Sequence, residues 1–325
     1  MASAKTTTAM RLSARDVERG RIPLRLRLSA WWNGYELRLP ERAPQQIETP
    51  ARQHDVRAPD KVLPWDDQRI SLVQEVWGDG FDRSGGSDDV LHMLKPCGLD
   101  PKMSVVELGA GLGGGTRAVC REFGIWIAGL EGEPELARVG QSLSDMAGLG
   151  KKATIINEKL GDFEPKRNGY DIIFAREAFV TLPDKTRLLH EVFDGLKPKG
   201  QLLFTDYVLA NPNVEDAALR TWRETEPEEP APWAVSHYMD ALNDLRFDIR
   251  ISEDRTDHYA AAIKRGWADF MHAAAKDGRL ERYGELALQE ADVWTRRLQA
   301  LESGGLRVYR FHAIKPGGNR TLSDW

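Results

Sequence analysis

The stretch Val105–Thr116, VVELGAGLGGGT, joins a short apolar run to a glycine-dense turn and then to a helix-like run, Thr116–Phe123. Gly109, Gly111 and Gly113 can take positive φ and bring backbone N–H groups close to a ligand. A helix starting just beyond them aims its free N–H groups at the same point. Glu107 carries a carboxylate up to this turn. Glu131 closes the next apolar run, Ile125–Leu130; that is about 20 residues past the glycines, the spacing at which an acid holds a ribose diol. The chemistry is that of a nucleotide-like ligand at the carboxyl edge of a parallel sheet. The turn alone leaves a purely structural βα connection, and a nicotinamide or flavin site, open.

The elements that must position these residues follow at regular intervals. Ala153–Asn157 reads as a third strand and leads to Gly161-Asp162-Phe163; Tyr170–Ala175 reads as a fourth. After the turn Lys197-Pro198-Lys199-Gly200, Gln201–Thr205 reads as a fifth strand, ending at Asp206-Tyr207. Strands that alternate with helical stretches imply a doubly wound α/β sheet. Upstream, Ile70, Val73, Val76 and Trp77 recur at helical spacing and predict a helix over Asp66–Trp77. Ser87 precedes a second, Asp88–Leu94, with Asp88 and Asp89 in its first turn, where they favour the helix dipole. Downstream, Ala210–Trp233 reads as a lid over the acceptor pocket, or equally as an exposed loop tethered by Trp222 and Trp233. A helix over His237–Phe247, a strand over Phe247–Ser252, a long helical region over Ala260–Ser303 and a last strand over Leu306–Ile314 complete the chain. Trp267, Phe270, Met271 and Ala274 in that helical region read as core.

A chain of 325 residues, 41% hydrophobic and 29% charged, is ample for one α/β domain with additions. Cys97 and Cys120 form no framework, and seven scattered histidines show no metal-ligand spacing, so no metal is expected. No apolar run has the length of a membrane span and no signal peptide is evident, which points to the cytoplasm. Charge is uneven: the first sixty residues carry +4 and the rest −9, within a total of −5. Residues 1–60 are therefore set apart as a basic, Pro/Arg-rich arm and linker, 61–315 as the main domain and 316–325 as a tail. Within the arm, Ile22–Leu39 alternates Leu24, Leu26 and Leu28 with Arg25 and Arg27, ahead of Trp31, Trp32 and Tyr35. It reads either as a strand packed across the domain or as a peripheral contact with an anionic membrane. No nucleic-acid partner is expected, and the oligomeric state is left open.

Taken together, E-x-G-x-G-x-G at Glu107–Gly113, the acid Glu131, G-D-F at Gly161–Phe163 and L-K-P-x-G at Leu196–Gly200 resemble class I S-adenosylmethionine (SAM) methyltransferases. The resemblance spans about residues 61–315 and implies a Rossmann-like, mostly parallel, seven-stranded sheet with Leu306–Ile314 antiparallel. It also implies helical lid insertions at 209–246 and 255–303, behind opening helices at 61–100. The cofactor implied is SAM. Gly109, Gly111 and Gly113 would line its methionine portion with Glu107 near the amino group, and Glu131 would hold the ribose. Asp162 would accept from the adenine amino group and Phe163 would pack on the ring; Ala175, Arg176 and Glu177 would lie beside the sulfonium.

A narrower resemblance lies in the pattern helix–GDGF-x-x-SGG–helix over Trp65–Leu99, which is similar to the start of phosphoethanolamine (phosphobase) N-methyltransferases. It continues in Gly109–Gly115, Arg176-Glu177-Ala178, Thr205-Asp206-Tyr207 and Trp294-Thr295-Arg296-Arg297. The departures bear on the acceptor. Where that group has a tyrosine–histidine dyad, this chain has Trp65 and Thr181, and where it holds phosphate, this chain has the acidic stretch around Glu228, Glu229 and Pro230. Tyr207 and Arg297 remain as anion contacts, and Glu177, Tyr207, His258 and Tyr259 as catalytic candidates. The expected function is methyl transfer to a small-molecule or lipid acceptor, the latter also resembling cyclopropane fatty acid synthases. An amine or phosphobase N-methyltransferase with altered residues and a non-catalytic SAM-binding protein are the alternatives.

Overall fold

The computed structural model describes residues 63–214 and 216–317, with the short pieces 9–11, 26, 30 and 36–38. Most of the arm, Trp31, Trp32 and Tyr35 included, and the tail from residue 318 lie outside the described residues. Two three-residue strands from the arm region, β1 (Ala9–Arg11) and β2 (Glu36–Arg38), pair parallel.

The main sheet contains β3 (Val105–Leu108), β4 (Ile127–Glu131), β5 (Ala153–Asn157), β6 (Tyr170–Arg176), β7 (Leu196–Leu209), β8 (Asp248–Asp254) and β9 (Leu306–Ile314). Their order is β5-β4-β3-β6-β7-β9-β8, parallel except that β9 runs against both β7 and β8. The chain leaves β3 for β4 and β5 on one side, then returns to β6 on the other. The β3/β6 boundary is therefore the switch point at which this class of sheet opens a ligand crevice.

The helices are α1 (Asp67–Trp77), α2 (Gly86–Leu94), α3 (Gly114–Phe123), α4 (Pro134–Met146), α5 (Thr186–Gly195), α6 (Ala217–Thr225), α7 (Val235–Asp244), α8 (Thr256–Asp277), α9 (Arg279–Tyr283) and α10 (Glu285–Ser303). Alternate strand residues feed two cores, as the period of two requires. Val105, Ile127, Ile172, Phe174 and Leu203 join α1, α2, α8 and α10 on one face. Val106, Leu108, Ile173, Ala175, Leu202 and Phe204 join α5 and α7 on the other. Trp267, Phe270 and Ala274 are core, and Trp77 is wedged against Trp294 and Trp267 at centroid distances of 4.5 and 6.4 Å.

Several boundaries move for physical reasons. Asp66 caps α1 by accepting from the Arg69 N–H at 2.8 Å, so the helix proper starts one residue later than expected. Helix α3 starts at Gly114 rather than Thr116, because the Gly114 N–H is taken by the Gly80 carbonyl at 2.9 Å and the two segments meet at its first turn. Strand β7 outruns the expected Gln201–Thr205 at both ends. It pairs with β9 over every residue from Gln201 to Leu209, and the Lys197–Gly200 turn, with Lys199 at φ 67°, is absorbed into its start. The expected helix at Ala260–Ser303 is three helices, broken at Gly278 and Gly284, where φ is 73° and 51°.

The segment Ala210–Trp233 is fastened down. The Leu209 N–H donates to the Trp233 carbonyl at 3.0 Å and the Ala231 N–H to Val180 at 2.7 Å, while Trp222 is fully buried. Lys185, itself buried, donates to the Leu182 and Ala231 carbonyls at 2.7 Å each, tying the segment to the loop after β6.

Candidate active site

The glycine turn after β3 is fixed by the end of β4. Gly109 and Ala110 donate to the Leu130 carbonyl at 2.8 and 2.9 Å, and Gly111 donates to Glu131 Oε2 at 2.7 Å. Glu131 Oε1 accepts from the Glu133 N–H at 2.8 Å. One acid thus sets the shape of the turn and presents its remaining lone pairs beside it. Burial raises its pKa, against the pull of the Glu133 N–H and Arg83. Glu107 is buried under the turn and accepts from Thr116 Oγ1 at 2.6 Å. Burial raises it too, countered by Arg176 and the Thr116 hydroxyl.

The loop between α1 and α2, Gly78–Gly85, lies across this turn. A Cβ on Gly111, whose φ is 56°, would come within 2.2 Å of Asp82 Oδ1. Arg83 pairs with Asp82 at 2.9 Å, donates to the Arg176 carbonyl, and lies in the field of Glu131 and Glu177. Burial pushes the Asp82 carboxyl up, but Arg83 and Arg176 outweigh it and hold the pKa below the usual range. Asp82 and Arg83 are site residues that sequence reasoning missed. Their signal was available: they are the two unassigned positions in GDGF-x-x-SGG.

Across the switch point, β6 delivers Arg176 and Glu177. Glu177 has φ 46°, an uncommon conformation for a non-glycine residue, and its N–H is held by the Thr205 carbonyl at 2.7 Å. Oε1 accepts from Thr205 Oγ1 at 2.6 Å, whereas Oε2 has no protein partner. Burial raises this carboxyl, and Arg176 and Arg83 pull it back.

A cavity of about 50 Å³ opens beside Glu177, lined also by Ser84, Asp89, His92, Met93, Arg176, Thr205, Arg255, His258, Tyr259, Val308 and Arg310. Arg176 Nε, Glu177 Oε2 and Arg310 Nε are buried there without hydrogen-bond partners. Such atoms are rare in folded proteins, and three around one cavity are what a ligand would satisfy. His258, at the mouth, is bound to Asp89 at 2.9 Å. The glycine cradle and the acid at the end of β4 fit a cofactor with a ribose and an amino acid moiety, and the unpaired atoms mark the neighbouring cavity as room for a second ligand.

The structure brings Glu107, Gly109, Gly111, Gly113, Glu131, Arg176 and Glu177 to one crevice, and Glu177, His258 and Tyr259 to one cavity. Other expected residues lie elsewhere. Tyr207 is buried behind Tyr259, to whose hydroxyl it donates at 3.1 Å, and is not on the cavity wall. Burial drives both phenols well above their ordinary pKa, so neither is a base near neutral pH. Phe163 turns into the apolar core that holds Leu130 and Phe179, whereas Asp162 beside it stays exposed on a short 3-10 turn, where a ligand can reach it. Trp65 stacks on the Arg69 guanidinium at 3.7 Å, and neither it nor Thr181 lines the cavity.

The expected anion contact at Arg297 is already taken. Arg297 Nε and Nη2 donate to Glu226 Oε1 and Oε2 at 2.6 and 2.7 Å. The acids expected to matter, Glu228 and Glu229, are exposed; the one that turns inward is Glu226.

Residues 81–243 match the family described as a methyltransferase domain. Over 201 residues the chain is 26% identical to phosphoethanolamine N-methyltransferase 1 of Arabidopsis thaliana, covering 60% of this chain and 39% of that protein. It is 29% identical over 246 residues to sterol 24-C-methyltransferase of Yarrowia lipolytica, covering 72% and 60%. The chain thus spans less than two thirds of the length of either of these curated relatives. Among solved structures, phosphoethanolamine N-methyltransferase 2 of Haemonchus contortus in complex with S-adenosylmethionine superposes with a TM-score of 0.67 at 20% identity, covering 76% of this chain and 56% of that one.

Proposed function

The chain belongs to the methyltransferase-domain family, and on that premise we propose that it is a SAM-dependent methyltransferase acting on a nitrogen of a small polar acceptor. SAM supplies a methyl already activated on a sulfonium. The protein's part is to align the nucleophile, exclude water and take up a proton. Gly109, Gly111 and Gly113 with Glu107 receive the amino acid end of the cofactor, Glu131 the ribose and Asp162 the outer edge of the base. Asp82 and Arg83 close the crevice from above.

The observation that carries the acceptor is Glu177. Its unpartnered Oε2 is buried at the cavity, where it accepts an N–H of the acceptor and keeps the nitrogen lone pair directed at the methyl. A carboxylate there also stabilises the positive charge that grows on nitrogen during transfer. Burial has raised its pKa, which suits it to take the proton as the methylated nitrogen releases it. His258 sits half-exposed at the mouth, held by Asp89 at 2.9 Å.

The lining includes two acids, three arginines and two histidines, groups suited to bonding a polar acceptor. The basic, aromatic arm that suggested a lipid acceptor or an anionic membrane lies mostly outside the described residues. The test is label transfer from methyl-labelled SAM to three pools: small amines, phosphate-bearing amines and acyl lipids. Label in simple amines supports the proposal. Label confined to acyl lipids overturns the nitrogen acceptor, and no label in any pool while SAM binds favours a non-catalytic binding protein.

A further inference from the structure

Behind the Tyr259 wall of the cavity, hydrogen-bond donors converge on one point. Arg297 offers Nε and Nη2, and Trp222 offers its indole N–H at 2.5 Å. The guanidinium is stacked on Trp294, 4.5 Å from the ring centre, and lies close enough to the Tyr207 and Tyr259 hydroxyls to act on both. A forked guanidinium and an indole N–H are the donor set of an oxyanion site, with the two phenols at its edge. What fills it is Glu226, the residue that ends α6, whose carboxylate accepts from all three N–H groups and is 8% exposed.

We propose that Glu226 is a specificity-determining residue, a built-in carboxylate that occupies an anion site beside the acceptor cavity and so selects acceptors without a phosphate or comparable anionic head. This deepens the reading of the cavity as an acceptor pocket and rests on it. Two considerations support it. A second anion brought to Arg297 would meet Glu226 at contact distance, in a partly desolvated place where like charges repel strongly. The cations at the cavity also have acidic neighbours within the chain: Arg255 and Arg310 share Glu253 at 3.4 and 3.9 Å, and Arg176 lies in the field of Glu107 and Glu177. A purely structural reading, in which the pair only fastens α6 to α10, predicts lost stability and no new ligand.

The test removes the internal anion and offers an external one. In Glu226→Ser the site is vacated and Arg297 loses its counter-charge, a state that strongly favours uptake of an anion. Inorganic phosphate is titrated calorimetrically into full-length wild type, Glu226→Ser and Glu226→Ser/Arg297→Leu, each first checked for a SAM-induced rise in melting temperature. The expected result is phosphate binding by Glu226→Ser at least about tenfold tighter than by wild type, abolished in the double variant. If wild type binds phosphate equally well, or if Glu226→Ser keeps its SAM response and gains no phosphate binding, the proposal falls. Should Glu226→Ser fail to fold, Glu226→Ala decides: it also vacates the site and removes the charge, and must gain phosphate affinity that Arg297→Leu cancels. Because the readout is binding of phosphate alone, it stands apart from whether the acceptor is an amine. Simple amines failing as acceptors would overturn the nitrogen reading without touching this result.

Discussion

Gly111 and Glu177 carry the two sharpest consequences at the scale of single residues. A valine at 111 would place a branched side chain at φ 56° with its Cβ 2.2 Å from Asp82 Oδ1. We expect Gly111→Val to abolish the rise in melting temperature that SAM gives wild type, while the protein stays folded by circular dichroism. A variant that binds SAM normally would remove the glycine turn from the cofactor site. Glu177→Gln keeps the Thr205 contact and loses the charge. Turnover should fall by about 10²–10⁴, the range for loss of an acid–base group, with SAM affinity little changed. Equal turnover would exclude Glu177 from proton handling, and equal loss of SAM binding would make it a cofactor contact instead. Glycine spacing and the acid at 131 were legible in the sequence because they act through local backbone geometry. The unpaired oxygen of Glu177 was not, since it depends on Thr205, a residue of the neighbouring strand.

At the scale of elements, Ala210–Trp233 is held by groups buried where charge is costly. Asp206 is fully buried on β7, accepts from Tyr238 of α7 at 2.6 Å and leaves Oδ1 unpartnered. Burial lifts its pKa to about 7, against the pull of Tyr238 and Lys185. Burial also lowers Lys185 to about 8. The raised acid binds a proton in the folded state that the unfolded chain has released between about pH 4 and 7. Its contribution to stability is therefore full below about pH 4, declines as pH rises towards 7 and is lost above. Asp206→Asn should flatten that decline and melt higher than wild type at pH 8. Parallel melting-temperature curves for the two proteins across pH 4.5–8 would show that Asp206 titrates normally. The lowered Lys185 acts with the opposite sign, adding stability as pH rises from about 8 to 10.5, above the window tested.

For the whole molecule, a cofactor bound only by the folded chain must raise its stability by mass action, by about 2.7 kcal/mol at a hundredfold excess over Kd. The cores on both faces of the sheet are built from residues of the main domain. A chain beginning at residue 61 should accordingly melt cooperatively and show the same SAM-dependent shift; loss of that shift would place the arm in the cofactor site. The sequence by itself determined what depends on neighbours along the chain. That includes the glycine turn, the strand at Ala153–Asn157, the last strand at Leu306–Ile314, and the presence of helices between strands, because hydrophobic period and turn chemistry are local. The tertiary structure alone decided which residues meet. Strand β7 is long because β9, about a hundred residues away, pairs with nine of its positions. Of the acids Glu224, Glu226, Glu228 and Glu229, Glu226 answers Arg297, 71 residues on, because the end of α6 turns that side chain and not its neighbours inward. Charge and composition are the same for all four acids; only the direction of the backbone at the helix end distinguishes them.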